Sequence, residues 1–323
     1  RINYSRFKIL KMYPSDMKAA FPEAVENIGK LSNKVVVLVG DIGHFALQGF
    51  AKDNPGKYFN LGILEPTLVS ACAGIAKEGL IPIGHTIAPF IAERSLEQIK
   101  LDFCYQNLGG NLITVGSAFD YSTLGCTHHS YVDLGLLSSY PNTEVCYPAS
   151  PKEVISLLEQ RYDSSKLTYY RMARQPHGVC FENIEFGKNI IVKEGKDITL
   201  IASGPQLKNI LLLAEILQKE GIKSQVIYCH TIKPFDKDSL IESALQTKNV
   251  FAVEEHISSG SLISRVLETC ASYKDIAVAY HAIGDNFIRN YGTYDDIANH
   301  LGFKPEIFRS EIKQFLKFTY SGN

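Results

Sequence analysis

A lone carboxylate, Glu65, ends the apolar run 61–64 and precedes a stretch of small residues at 70–76 that is typical of a tightly packed helix. Carboxylates are rarely buried without a partner. Glu65 is therefore either a solvated residue at a helix start, with Pro66 in the first turn, or an acid held in a dry place for proton chemistry. The residue by itself leaves both interpretations open.

The loop at 125–133 is a second candidate, because it contains the adjacent histidines His128 and His129. Histidine transfers protons near neutral pH, although a polar loop without a chemical task explains the pair equally well. A metal site formed by Cys126 and the two histidines is disfavoured, because adjacent histidines rarely converge on one ion. The sequence therefore predicts no metal ligands in this chain.

Three further side chains could bind a ligand. Phe90 lies between a strand and a helix, where it either stacks on a flat ring in a crevice or packs in the core. Arg94 either binds a carboxylate or phosphate through its planar guanidinium or forms an ion pair on a helix surface. Arg171 and Arg174 end a strand and either serve an anion or bridge two domains.

Strand-like apolar runs alternate with helical stretches along the chain, which indicates mostly parallel α/β sheets. The first runs lie at 34–39, 111–115, 143–147 and 168–172, with helices at about 44–52, 66–78, 93–106 and 151–163. The last helix begins with Ser150, Pro151 and Glu153, the pattern of a capping box. A second series starts near residue 188. We therefore predict two doubly wound domains, at 1–187 and 188–323.

The amino-acid composition indicates which kinds of partner and which cellular compartment are expected. The 323 residues are 45% hydrophobic and 21% charged, with a formal net charge of −1, which favours neither nucleic acid nor an anionic membrane surface as a partner. The seven cysteines are scattered without a disulfide pattern, which predicts a reducing cytoplasm. No apolar run reaches the roughly 18 residues of a membrane span.

The order and spacing of these motifs resembles the transketolase family. The likeness extends from about residue 15 to 318 and is strongest to the pyrimidine-binding and C-terminal domains of transketolase subunits and 1-deoxyxylulose-5-phosphate synthases. The motifs that carry it are Gly62-Ile63-Leu64-Glu65, then Thr86, Phe90, Arg94 and Gln98, then Gly125-Cys126-Thr127-His128-His129 with Asp133, Arg171 with Arg174, and Val253-Glu254-Glu255-His256.

The resemblance implies that thiamine diphosphate binds between two α/β domains. The matching acid, Glu65, would hydrogen-bond the N1′ atom of the aminopyrimidine in a desolvated site and so promote loss of the thiazolium C2 proton. Phe90 would stack on the pyrimidine ring. Ile87, where many relatives have a second aromatic residue, and Leu64 would complete the cofactor-binding wall.

The resemblance also implies a substrate site. His128 would face the substrate near its reacting carbons, as a catalytic residue beside Glu65, and Arg94 and Arg174 would bind the substrate phosphate. Two positions depart from the family pattern. Leu124 replaces an acid that contacts a donor-sugar hydroxyl, and Gly116 replaces a histidine that helps to hold the sugar phosphate. We therefore expect a modified or less phosphorylated sugar, used in a specialised carbohydrate pathway.

The chain lacks the diphosphate-binding motif of the family, G-D-G followed by asparagine, because Gly40-Asp41-Ile42 does not match it. The resemblance therefore implies a separate subunit that holds the diphosphate and its Mg²⁺, in a two-fold symmetric α2β2 assembly. We expect sugars as substrates, and neither nucleic acid nor membrane as a partner. The isolated chain is predicted to be inactive and to bind thiamine diphosphate negligibly.

Alternatives share the same scaffold. The β subunit of a 2-oxo acid dehydrogenase or decarboxylase predicts a Tyr-His-Ser motif, where this chain has Thr127-His128-His129. A deoxyxylulose-type reaction on pyruvate also stays open. A non-catalytic partner is disfavoured, because Glu65, Phe90 and His128 are present together. The role of Glu254-Glu255-His256 is open, with an interface network preferred over catalysis.

Overall fold

Two β-sheets with helices packed on them make up the structure, a computed structural model that describes residues 17–321. The strands are β1 Val35–Val39, β2 Tyr58–Asn60, β3 Ile81–Ile87, β4 Gly110–Val115, β5 Thr143–Cys146, β6 Leu167–Met172, β7 Ile190–Lys193, β8 Ile198–Ser203, β9 Ser224–Cys229, β10 Thr231–Lys233, β11 Asn249–Ile257 and β12 Ala277–Ile283. The α-helices are α1 Met17–Leu31, α2 Gln48–Asp53, α3 Glu65–Lys77, α4 Ala88–Ala92, α5 Leu96–Gln98, α6 Asp133–Ser139, α7 Pro151–Arg161, α8 Leu207–Lys219, α9 Lys237–Thr247, α10 Leu262–Cys270, α11 Tyr294–His300 and α12 Pro305–Ser321. No helix in the described part of the chain has the length and apolar character needed to cross a membrane.

The first sheet has the strand order β10-β5-β6-β4-β3-β1-β2 and is parallel except for β10, which runs antiparallel to β5. Strand β1 consists of valine and leucine and is buried along its whole length, as its continuous β-branched run predicts. A strand before Phe90 is expected from the sequence without defined bounds, and the structure shows this strand as β3, which pairs with β1 and β4 in the middle of the sheet. Its apolar pattern is interrupted by Pro82, Gly84 and His85.

The second sheet has the order β12-β11-β8-β9-β7 and is parallel except for β7. The prediction of two doubly wound, mostly parallel sheets is thus confirmed. Strand β10 follows β9 in the chain but pairs with β5 of the first sheet, so the second half of the chain contributes an edge strand to the first. The division at 187/188 stays a prediction.

Two local expectations were wrong. The helix predicted over 93–106 is instead the short α5 followed by a π-helix at Ile99–Cys104, separated from α4 by a turn at 93–95. The Ser95 hydroxyl donates to the Phe90 carbonyl at 3.0 Å, and such a side-chain bond competes with the regular helix ladder. At α7, Ser150 does accept from the Glu153 backbone, but the Glu153 carboxylate binds Ala149 N and His177 Nε2, at 2.8 and 2.7 Å, rather than closing a capping box.

The segment Glu254-Glu255-His256 lies in the protein interior, between the two halves of the chain, and all three side chains are buried. Glu254 accepts hydrogen bonds from the first backbone N–H groups of α10. His256 Nε2 accepts from Gly135 N of α6 at 3.1 Å, and Arg171 donates to the Glu255 carbonyl at 3.0 Å. This network therefore holds the two halves of one chain together.

Candidate active site

The predicted site residues follow strands of the first sheet, at the edge where those strands end. Glu65 follows β2, Phe90 follows β3, the loop with His128 follows β4, and Arg174 follows β6. In open α/β sheets, ligands bind in the crevice beyond the carboxyl ends of the strands. The topology therefore brings residues that are distant in sequence to a single crevice.

Glu65 is the first residue of α3, and only 2% of its surface is exposed, so the solvated interpretation is wrong. Its Oε2 accepts a hydrogen bond from Arg94 Nη1 at 2.7 Å. The amino end of a helix also favours a negative charge. The carboxylate is thus buried with one cationic partner, and that partner is itself 46% exposed at the crevice. The break in the helix after α4 is what places Arg94 there.

Arg94 contacts the second predicted cofactor residue as well. Its guanidinium carbon lies 4.2 Å from the ring centroid of Phe90, and the ring of His128 stands edge-on to Phe90 at 5.3 Å. A flat group that carries N–H thus hydrogen-bonds the acid and covers the aromatic face at once. An aminopyrimidine is likewise a flat ring, and a nitrogen at its edge can share a proton with a carboxyl group, so Glu65 and Phe90 fit the pyrimidine half of thiamine diphosphate.

The remaining cofactor-wall residues flank this position. Ile87 ends β3 and is half-buried, and Leu64 precedes α3 with 54% of its surface exposed. An exposed leucine beside a buried acid leaves apolar surface open at the mouth of the crevice. Both positions suit a wall that a second body would complete.

The two histidines of the loop at 125–133 lie in different environments. Thr127 Oγ1 lies 2.9 Å from His128 Nδ1, which orients the half-buried ring and leaves Nε2 for a ligand as far as the described residues show. His129 is buried, and within residues 17–321 neither of its ring nitrogens has a hydrogen-bond partner. Burial, with His128 nearby, lowers the pKa of His129 and keeps it neutral. No three His, Cys, Asp or Glu side chains group as a metal site in the described chain.

The two arginines after β6 have separate roles. Arg171 is fully buried, lies 3.4 Å from Asp133 and donates to the Ser130 carbonyl at 2.8 Å, so it bridges structural elements. Arg174 is exposed, and its guanidinium carbon lies 5.0 Å from the ring centroid of Tyr121. Of the pair, only Arg174 is available to an anion in the crevice.

Two residues of this crevice were not predicted from the sequence. Asp120 Oδ2 accepts from Ser117 N, from Ser117 Oγ and from Arg174 N at 2.8–3.0 Å. Burial raises the pKa of Asp120 to about 6, although these hydrogen bonds oppose the rise. Tyr121 lies between Arg174 and His128, whose ring centroid is 5.9 Å away. The one signal in the sequence was the unusual Gly116, whose neighbour in space is Tyr121.

Two family models match the chain. The transketolase pyrimidine-binding domain matches residues 14–177, more than half of the chain, and the transketolase C-terminal domain matches 187–306. The chain belongs to the transketolase family. Membership confirms the predicted fold and makes thiamine diphosphate the expected cofactor, whereas the role of each site residue stays a prediction.

Relatives of this transketolase-family chain include subunits of two enzymes named apulose-4-phosphate transketolase. The one from Phocaeicola vulgatus is 28% identical over 305 residues, covering 93% of this chain and 97% of the relative. The one from Actinobacillus succinogenes is 30% identical over 294 residues, covering 90% and 94%. A solved split-gene transketolase, described as an inactive β4 tetramer, superposes with a TM-score of 0.85 at 29% identity, covering 93% of this chain and 98% of that chain.

Proposed function

We propose that this chain is the cofactor-activating subunit of a two-subunit, thiamine diphosphate-dependent transketolase that transfers a two-carbon ketol unit between sugars. The observation that carries the proposal is the buried Glu65 carboxylate at the start of α3. The guanidinium of Arg94 contacts both this carboxylate and the Phe90 ring, so the acid and the aromatic ring lie on either side of one flat group. Relatives of similar length named as transketolase subunits support it.

The protein groups supply the proton path and the binding geometry. Thiamine diphosphate, when bound, supplies an electron sink for making and breaking the carbon–carbon bond next to a carbonyl. With the cofactor bound, Glu65 would share a proton between its carboxyl oxygen and the pyrimidine nitrogen, and Phe90 would fix the ring plane by stacking. His128 exchanges a proton with a substrate oxygen through Nε2. Arg94 and Arg174 would bind an anionic substrate.

A second subunit completes the enzyme in this proposal. It would hold the diphosphate and Mg²⁺, because Gly40-Asp41-Ile42 departs from the G-D-G motif by which the family binds them. The exposed Leu64, with the neighbouring Ile63 also 69% exposed, supports a covering body at the crevice mouth. The assembly we expect is α2β2. Cysteines without a disulfide in the described chain support a cytoplasmic enzyme in carbohydrate metabolism.

The test is reconstitution with the diphosphate-binding subunit, followed by an assay of ketol transfer between ketose donors and aldehyde acceptors. Glu65→Gln should lower kcat by roughly 100-fold or more, since removing a positioned proton donor costs that much. Glu78→Gln, at the exposed opposite end of α3, is the matched control and should keep wild-type kcat. Calorimetry should detect no tight thiamine diphosphate binding to the isolated chain.

The same preparation separates the alternatives. Release of CO₂ from pyruvate without ketol transfer would assign the chain to the 2-oxo acid or deoxyxylulose class instead. Equal rates for Glu65→Gln and the wild-type complex would mean that the chain is a non-catalytic partner. Tight cofactor binding by the isolated chain would contradict the divided cofactor site.

A further inference from the structure

The space that a side chain at position 116 would need is occupied by the side chain of another residue. Gly116 follows β4 with φ +84°, a conformation that side chains disfavour. A Cβ placed on Gly116 would overlap the ring of Tyr121 and would lie 3.5 Å from Ile87 Cγ2. The Tyr121 ring therefore occupies the space that a side chain at 116 would take, next to a wall of the cofactor crevice.

Tyr121 also contacts both polar groups of the predicted substrate site. The guanidinium carbon of Arg174 lies 5.0 Å from the ring centroid of Tyr121. The rings of Tyr121 and His128 are in an edge-to-face arrangement, with their centroids 5.9 Å apart. Burial raises the pKa of Tyr121, so the ring stays neutral at physiological pH and keeps its attraction for a cation. One aromatic side chain thus separates and orients the imidazole and the cation.

The backbone beneath this arrangement is fixed. Asp120, the residue before Tyr121, accepts from Ser117 N at 3.0 Å and from Arg174 N at 2.8 Å. The turn that carries Tyr121 and the residue that carries the guanidinium are therefore tied to one buried carboxylate. Such a link restricts the relative movement of Tyr121 and Arg174.

The charge of Arg174 indicates which chemical group of a substrate this site would bind. Within residues 17–321 its guanidinium forms no ion pair with a carboxylate, and the side chain is exposed at the carboxyl edge of the sheet. A planar cation held by an aromatic face, without an internal counterion, suits a tetrahedral oxyanion. Phosphate and sulfonate have this chemistry in common.

We infer that Tyr121 is a positioning residue for substrate specificity, which takes the place of the side chain missing at Gly116 and holds Arg174 to bind the oxyanion tail of the sugar. This rests on the proposed function only for the identity of the sugar. The ring, rather than the hydroxyl, carries the effect, because the ring makes the contacts to Arg174 and His128.

The kinetic test uses the assembled complex and three acceptors that differ at one carbon: glyceraldehyde with a phosphate, a sulfonate or a hydroxyl at C3. The wild-type complex should prefer the charged acceptors by KM. Tyr121→Leu should lower that preference about 10-fold, as expected for a displaced charge-assisted contact. Tyr121→Phe should keep at least a third of it. Tyr273→Leu, in the second half of the chain, is the matched control and should match the wild type.

A binding test is independent of turnover. Broadening of the ³¹P signal of inorganic phosphate should be seen with the full wild-type chain and with Tyr121→Phe, and should be lost with Tyr121→Leu and Arg174→Leu. Circular dichroism verifies that each variant is folded. Equal KM preference in Tyr121→Leu and wild type, a Phe variant as defective as the Leu variant, or no phosphate binding by the wild type would each overturn the inference. Phosphate binding with no ketol transfer would refute the proposed function alone.

Discussion

Glu255 should make the stability of this chain fall as the pH rises. Its side chain is fully buried between the two sheets, where Oε1 accepts from Gln206 Nε2 at 2.6 Å and from the Tyr294 hydroxyl. Oε2 has no partner among the described residues. Burial raises the pKa of Glu255 from 4.5 to about 7, and the two donors reduce the rise without cancelling it. The folded chain therefore binds this proton more tightly than the unfolded chain.

The sign and size follow from proton linkage. Below pH 4.5 both states hold the proton, and between pH 4.5 and about 7 the unfolded state releases it while the folded state keeps it. The free energy of unfolding therefore decreases over that range. At about 1.36 kcal/mol for each pKa unit, the loss is about 3 kcal/mol by pH 8. Asp120, with a pKa of about 6, adds a separate decrease at lower pH.

The perturbation is Glu255→Gln, which keeps an acceptor for Gln206 and Tyr294 but cannot ionise. Urea unfolding of wild type and variant should be followed by circular dichroism between pH 4.5 and 8, at one protein concentration because association adds to apparent stability. The difference between the two free energies should change by about 3 kcal/mol in favour of the variant as the pH rises. Glu306→Gln, at an exposed site, should run parallel to wild type. Parallel curves for Glu255→Gln would refute the reasoning.

Two further predictions concern the crevice. Phe90→Leu should weaken thiamine diphosphate binding to the assembled complex by roughly 2- to 10-fold in calorimetry, because an aromatic stack contributes about 0.5–1.5 kcal/mol. Phe90→Tyr should bind as wild type does, and equal affinity in the Leu variant would remove Phe90 from the cofactor site. Arg94→Gln should lower the unfolding free energy of the cofactor-free chain by about 1 kcal/mol, because it strands the buried Glu65 carboxylate. Adding Glu65→Gln to that variant should restore most of the loss in the same urea titration, and an additive loss would show that the two side chains do not interact.

Much of the architecture could be predicted because the pattern of burial is local. Strand β1 and the stretches 226–229 of β9 and 250–253 of β11 are continuous apolar segments, and such segments are recognisable wherever both faces of a strand are covered. Strand β3 could not be predicted in this way, since Gly84 and His85 are kept in it by packing against Leu68, Leu112 and a backbone carbonyl. Tertiary contacts decide such a strand, and the sequence pattern does not contain them.

The same distinction between local sequence pattern and tertiary contacts applies to the candidate site. Glu65, Phe90 and His128 could be singled out as candidates because each stands in a motif with fixed spacing, and the fold then brings them to one edge. The partners that decide their chemistry are different: Arg94 meets Glu65 only because the helix after β3 breaks at Ser95, and Tyr121 meets Arg174 only because β4 and β6 are adjacent in the sheet. A motif thus specifies which group can react, whereas the topology specifies which charge it faces. Substitutions at contact partners such as Tyr121 should therefore change specificity without loss of the reaction.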